Sequence, residues 1–185
     1  MTQLERIGLS EVEMFVKKEL SKRIEEDLKA LRLVREADVQ CAAYMYLRKR
    51  LDSDPNWHVL AEFHAPQTSK FIDLVLFQKS VPRIAIEIKW GRKNMGKKDR
   101  ESLRTALTKL GVNKAYWLSA SVLGEPPPPL EKLDHEKYLL HQVVVRPSLD
   151  ESELLCWKKL RSDLRRKPQD GKGRAKGASD DAGSA

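Results

Sequence analysis

Apolar residues recur every three to four positions near the start of the chain, and this spacing predicts an amphipathic helix over residues 10–31. Ser10 is suited to cap this helix, and charged residues fill the positions between the apolar ones. The apolar stripe can pack on the rest of the protein, or it can pair with a second copy of the chain or with a partner protein. Its members are Val12, Val16, Leu20, Ile24, Leu28 and Leu31.

Residues 34–51 form a second helical pattern, which ends at the turn-forming residues 52–56. Three short segments rich in β-branched and aromatic residues follow at 57–64, 71–77 and 83–90. Only a few residues connect these segments, and short connections favour neighbouring antiparallel strands. The pattern therefore predicts a three-stranded meander after the second helix.

The C-terminal half alternates between helix and strand patterns. Asp99 is expected to cap a helix that ends at Gly111, and residues 114–121 have the composition of a further strand. A strand, a helix and another strand predict parallel pairing of the two strands. After the proline-rich stretch EPPPPLEK, the residues YLLHQVVVRP predict one more strand, and SLDESELLCWKKLRSDLRRK predicts a final helix.

These elements predict an α/β protein made of three segments. Residues 1–33 hold the amphipathic helix, and residues 34–165 hold the main domain. Residues 166–185 are rich in Gly, Ala, Ser, Lys and Asp and have no apolar periodicity, so we expect a disordered basic tail.

Composition adds a preference for an anionic partner. The net charge is +8 and the pI is about 9.5, which favours nucleic acid, with an anionic membrane surface as the competing interpretation. The two cysteines, Cys41 and Cys156, are far apart and fit no zinc-binding spacing. The N-terminal residues lack an apolar signal core, and no apolar run is long enough to span a bilayer. We therefore expect a cytoplasmic protein with no membrane partner.

Two of the predicted strands are apolar except for a few charged residues. Side chains alternate along a strand, so Glu87 and Lys89 share one face of their strand, and Asp73 is the only acid in its own. A carboxylate in an apolar strand is costly unless it is paired or bound to a metal. Two carboxylates that converge repel each other, and Mg²⁺ relieves that repulsion while also binding phosphate oxygens. The simpler interpretation is a salt bridge between Glu87 and Lys89 at a strand end, with Asp73 at a sheet edge.

The chain resembles the PD-(D/E)xK nuclease superfamily over residues 34–121. The similarity lies in Asp73, followed after thirteen residues by Glu87-Ile88-Lys89, within a helix, three strands, a helix and another strand. It implies a restriction-endonuclease-like α-β-β-β-α-β core, a central mixed sheet flanked by helices, here with an added N-terminal helix. It also implies phosphodiester cleavage that depends on Mg²⁺, for which Mn²⁺ can substitute.

The resemblance also implies roles for single residues. Asp73 and Glu87 would bind the metal together with the backbone carbonyl of Ile88, and Lys89 would be the catalytic lysine. Glu36 matches the acid that many members carry on the first core helix, although an acid at a helix start is also favoured by the helix dipole alone. One departure is Ile72, which stands where the family pattern has a proline.

Several further residues are candidates for nucleic-acid contact. A basic loop with one aromatic residue suits a phosphate backbone or an unstacked base. The alternative is a solvated loop, with Trp90 packed on the core and Gln40 as a polar boundary residue. The candidates are Gln40, Lys70, Trp90, Arg92, Lys93, Lys97 and Lys98.

Three functions from different classes are consistent with these patterns. The leading hypothesis is a Mg²⁺-dependent endonuclease with a role in defence, restriction or repair, and with DNA favoured over RNA as substrate. The second is a noncatalytic module that binds nucleic acid or supports an assembly and retains the nuclease fold. The third is a coiled-coil adaptor that forms a homodimer through residues 10–31.

Overall fold

Residues 6–65, 71–91, 95–122 and 140–165 are described in the computed structural model of the protein. The first helical stretch is continuous and consists of α1 (Leu9–Met14), a π-helical segment (Phe15–Leu20) and α2 (Ser21–Lys29). The remaining elements follow in the order α3 (Glu36–Leu51), β1 (Trp57–His64), β2 (Phe71–Gln78), β3 (Val81–Trp90), α4 (Lys97–Thr105) with its π-helical continuation (Ala106–Leu110), β4 (Lys114–Ala120), β5 (Leu140–Val145) and α5 (Glu151–Arg165).

The five strands form one mixed sheet in the order β1-β2-β3-β4-β5. The first three strands pair antiparallel, whereas β3, β4 and β5 pair parallel. The short turns between the first three strands and the helical crossover between β3 and β4 account for this change of direction. The predicted α/β class, with a mixed sheet flanked by helices, is confirmed.

Alternation along β3 divides the core into two layers. Ile84, Ile86 and Ile88 face a core that also contains the N-terminal helix, α3 and Trp157 of α5. Ala85 faces the other side, where α4 and its continuation cover the sheet. Both faces are therefore covered, as the nearly continuous apolar runs in the central strands predict.

The apolar stripe of the N-terminal helix is buried inside this chain. Val16, Leu20 and Ile24 are fully buried and belong to the same core as β3 and β4. Of the uses left open for the stripe, packing on the rest of the protein is therefore the one that the structure adopts. The stripe cannot also serve as the seam of a coiled-coil dimer while it fills this core. The described residues of the predicted segments 1–33 and 34–165 therefore share one core.

The ends of the N-terminal helix differ from the predicted ones. The helix begins at Leu9 rather than after a Ser10 cap, because the Glu11 carboxylate accepts a hydrogen bond from the Gly8 amide at 2.8 Å. The regular helix ends at Lys29, and Leu31 adopts a positive φ of 57° outside it. The predicted stripe is thus one residue too long.

Two predicted segments lie outside the described residues. They are the proline-rich stretch EPPPPLEK and the tail at 166–185. Within the described ranges, no helix is both long enough and apolar enough to cross a membrane.

Candidate functional site

The candidate site begins where β2 and β3 stop pairing. The antiparallel pairs run as far as Leu74 and Ile86, and the next residues along the two strands are Asp73 and Glu87. The carboxylate oxygen Oδ2 of Asp73 accepts a hydrogen bond from the backbone amide of Ile88 at 2.6 Å. A side chain of β2 thus satisfies a β3 amide beyond the end of the ladder. This contact holds the Asp73 carboxylate beside β3.

The ammonium group of Lys89 lies among four carboxylates. Its Nζ atom is 2.9 Å from Oε1 of Glu87 and 3.5 Å from Oδ2 of Asp73. It is also 3.3 Å from Oε1 of Glu36 and 3.9 Å from Oδ1 of Asp99. Lys89 and Glu87 are only 7% and 5% exposed, so their charges are largely removed from water. The structure therefore brings together all four residues to which the resemblance assigns catalytic roles.

Glu36 reaches the site from the first turn of α3. Its Oε2 atom accepts a hydrogen bond from the Trp90 amide at 3.0 Å, while its Oε1 atom pairs with Lys89. The helix dipole favours an acid at this position, and the same carboxylate also binds the end of β3. Glu36 is the more exposed part of the cluster, with 43% of its side chain accessible.

Asp99 also belongs to the cluster, although the sequence patterns predict only that it caps a helix. It was expected to cap α4, but the helix begins at Lys97, and Gly96 occupies the cap position. The Oδ2 atom of Asp99 accepts a hydrogen bond from the Gly96 amide at 3.1 Å, and its Oδ1 atom faces Lys89. A local signal marks Asp99 only as an acid near a helix start. Its second role depends on α4 packing over the face of the sheet that carries Lys89.

Burial and mutual charge shift the pKa values of the site. Burial raises the pKa of Glu87 to about 7, and the neighbouring charge of Asp73 adds to this. Burial also raises the pKa of Asp73, against the opposing effect of its hydrogen bond from Ile88. Burial lowers the pKa of Lys89, but the charges of Asp73 and Glu87 outweigh it and hold that pKa above the ordinary value. Lys89 is therefore a fixed cation, whereas Glu87 can gain or lose a proton near neutral pH.

One carboxylate oxygen of the site has properties that suit a cation. The Oε2 atom of Glu87 is buried and makes no hydrogen bond to any residue that the structure describes. Such an oxygen is suited to a hard cation, and Mg²⁺ commonly takes one or two carboxylates and completes its shell with water and phosphate oxygens. No three or more His, Cys, Asp or Glu side chains in the described ranges are grouped to hold a metal. Asp73 and Glu87 are the two carboxylates that the resemblance assigns to a metal, and both also contact the Lys89 ammonium.

The other candidate residues are placed as follows. Ile88 contributes its amide to Asp73, and the role of its carbonyl stays a prediction. The Nε2 atom of Gln40 lies 3.5 Å from the carbonyl oxygen of Asp73, at the long end of hydrogen-bonding range. The ring of Trp90 packs against Trp157 with 5.8 Å between ring centroids, which matches the alternative of a ring packed on the core. Lys70, Arg92 and Lys93 lie outside the described residues.

Comparisons with known proteins add little to this geometry. No model of a protein family matches the chain, and no curated protein matches it. Among solved structures, the chain is similar to one in the refined half-complex from a tetradecameric assembly of Thermococcus gammatolerans McrB AAA+ hexamers with bound McrC. The TM-score is 0.39 and the identity is 15%, over 65% of this chain and 32% of that chain. A similarity at this level carries no argument about function.

Proposed function

We propose that this protein is a Mg²⁺-dependent endonuclease with a restriction-endonuclease-like core, which hydrolyses phosphodiester bonds and favours DNA over RNA. The observation that supports this most is the contact between Lys89 and Glu87, 2.9 Å apart and nearly buried, beside an Asp73 carboxylate held at the end of the β2–β3 ladder. The order α3, β1, β2, β3, α4, β4 also follows the α-β-β-β-α-β order of that core. The proposed setting is defence, restriction or repair.

In this proposal, Asp73 and Glu87 hold the cation on the face of the sheet covered by α4. A bound Mg²⁺ lowers the pKa of a coordinated water and offsets negative charge on the phosphate; Mn²⁺ can replace it. The burial of Glu87 keeps its oxygens from being solvated, and this strengthens any charge interaction they make. The hydrogen bond from Ile88 fixes the Asp73 carboxylate on the side of β3.

Lys89 supplies the positive charge next to the reacting group. Its ammonium is desolvated and held in place by contacts from β2, β3, α3 and α4, so little reorganisation is needed when negative charge develops on a phosphate oxygen. Glu36 holds Lys89 from the more open side and anchors the end of β3 through the Trp90 amide. This is a positioning role.

The test is cleavage of a mixed panel of DNA and RNA substrates in the presence of Mg²⁺ or Mn²⁺. The unaltered protein is expected to cut at least one substrate, and Glu87→Gln and Lys89→Met are expected to abolish cutting. Glu26→Gln and Lys159→Met are matched controls, because both positions are exposed. Equal cutting by Lys89→Met and the unaltered protein would exclude Lys89 from the mechanism.

One observation favours a second candidate, a noncatalytic nucleic-acid-binding or assembly module with the same fold. All four acids lie within 3.9 Å of Lys89, so the cluster is also a self-sufficient network of ion pairs. Such a network can be purely structural. Tight binding of a substrate from the panel, with no cutting of any substrate by the unaltered protein, would select this candidate.

A further inference from the structure

The exposed residues of α4 and its continuation include positive charges and no negative charge. Of the acids of this helix, Asp99 is buried in the candidate site and Glu101 is half-buried. Of the six exposed residues, five are basic and none is acidic. The exposed residues are Lys97, Lys98, Arg100, Arg104, Thr108 and Lys109.

The position of these charges opposes the electrostatics of the helix itself. Lys97 and Lys98 are the first two residues of α4, and Arg100 follows within the next turn. The N-terminal end of a helix carries partial positive charge, so cations there destabilise the helix and anions stabilise it. Asp99 fits that rule, and its three basic neighbours do not. The stability of α4 therefore does not explain these three residues, and their positive charge suits contact with a polyanion.

This surface adjoins the candidate site. Asp99 lies in the same helical turn as Lys97 and Lys98, and its Oδ1 atom is 3.9 Å from Nζ of Lys89. From Lys97 to Arg104 the helix rises about 10 Å, which corresponds to about three nucleotides along one strand of a duplex. A strand that follows the surface would thus pass the helical turn whose Asp99 contacts Lys89.

We propose that this outward surface of α4, the basic face formed by Lys97, Lys98, Arg100 and Arg104, binds the phosphate backbone of a nucleic acid and leads it to Lys89. The proposal deepens the proposed function and rests on it for the identity of the polyanion. Contacts with phosphates carry no sequence information, so the basic face sets the position of the strand and not the sequence that is recognised.

The test compares two triple variants that remove the same charge. Lys97→Gln, Lys98→Gln and Arg100→Gln together remove three of the four charges of the basic face and leave Arg104 in place. Lys18→Gln, Lys22→Gln and Lys49→Gln together neutralise exposed residues of helices that contribute to the core on the opposite face of the sheet. Binding of a fluorescent mixed-sequence DNA duplex is measured across a series of salt concentrations. EDTA is present throughout, so that no metal-dependent cleavage occurs.

The first triple variant is expected to bind more weakly, with a plot of log affinity against log salt that is less steep by about 0.9 for each phosphate that the variant no longer neutralises. The control variant is expected to keep the slope of the unaltered protein. The melting temperature of the first variant is expected to stay the same or rise, because the charges removed oppose the helix dipole. A charge-conserving variant, Lys97→Arg with Lys98→Arg and Arg100→Lys, is expected to retain binding.

Three outcomes would overturn the inference. They are unchanged DNA binding in the first variant, equal weakening in both triple variants, and DNA binding that survives while binding to anionic phosphatidylserine vesicles is abolished. The last outcome would assign the basic face to a membrane surface. Weakened binding in a protein that cuts no substrate would support the basic face and count against the proposed nuclease. Cutting by the unaltered protein, with unchanged DNA binding in the first variant, would support the proposed nuclease and count against the basic face.

Discussion

Lys89 on β3 and Asp99 on α4 approach each other across the boundary between the sheet and the helix that covers it, with 3.9 Å between Nζ and Oδ1. Both side chains are nearly buried. Asp99, on the helix that follows β3 in the chain, thus contacts a residue of β3 itself. Because Asp99 is part of α4, the position of this helix and of its basic face affects the net charge around Lys89.

Replacing Asp99 with Asn is expected to lower the pKa of Glu87 below its value of about 7. Burial is the main cause of that raised value, but the charge of Asp99 contributes to it, and the substitution removes only the charge. The Asn side chain can still accept the hydrogen bond from Gly96, so the start of α4 is preserved. Titration of the Glu87 carboxyl carbon by NMR measures the shift. Exposed Asp52→Asn is the control, and identical titration in the two variants would contradict the prediction.

Replacing Glu87 with Gln is expected to stabilise the metal-free protein at neutral and higher pH. Glu87 has a pKa of about 7 in the folded protein against 4.5 as its ordinary value, so the folded state binds more protons between these values and loses stability as the pH rises. The loss is up to about 3 kcal/mol above pH 7 and is absent below the ordinary value. A Gln side chain does not titrate, so the variant does not undergo this loss of stability.

Urea unfolding in EDTA over a range of pH measures this difference. The free energies of unfolding of Glu87→Gln and the unaltered protein should agree in acid and separate as the pH rises through the interval. A difference that is constant with pH, or a variant that is less stable at neutral pH, would show that Glu87 acts mainly as a structural partner of Lys89.

Replacing Lys89 with Met is expected to destabilise the protein by about 3 kcal/mol at neutral pH, because it leaves buried carboxylates without their cation. The pKa of Lys89 is raised in the folded protein, so its stabilising effect is present at and below its ordinary pKa of 10.5 and disappears only at higher pH. At acidic pH the loss of unfolding free energy in Lys89→Met should be smaller, since Glu87 and Asp73 are then protonated.

Thermal unfolding of Lys89→Met in EDTA at acidic and neutral pH tests this prediction, with Lys159→Met as the exposed control. The loss should be larger at neutral pH than in acid. Equal losses at both pH values would indicate that the Lys89 side chain contributes by packing rather than by charge.

Replacing Leu20 with Ala is expected to cost about 2–5 kcal/mol, because Leu20 is fully buried in the core that the N-terminal helix shares with the sheet. Met14 lies on the same continuous helix and is 57% exposed, so Met14→Ala should change stability by no more than about 0.5 kcal/mol. Denaturant unfolding at several protein concentrations measures both effects. Unfolding of the unaltered protein that depends on its concentration would instead support a dimer.

Local periodicity accounts for much of the sheet and for part of the site. The alternation of side chains along a strand predicted that Glu87 and Lys89 share a face, and the short connections predicted the antiparallel meander. These features depend on residues close in sequence, so they are legible without the fold. The convergence of Asp73 with them follows from the antiparallel pairing of β2 and β3.

The sequence by itself determined the α/β class, the order of the strands and helices along the chain, and the presence of acids and a lysine in the central strands, because each follows from residues near one another in the chain. Only the tertiary structure decided that the stripe of the N-terminal helix fills the core, that Trp90 packs on Trp157, and that Asp99 joins Lys89. An apolar stripe can be buried against many surfaces, and a helix can cover either face of a sheet. The choice among these arrangements depends on contacts between distant segments, which local patterns do not encode.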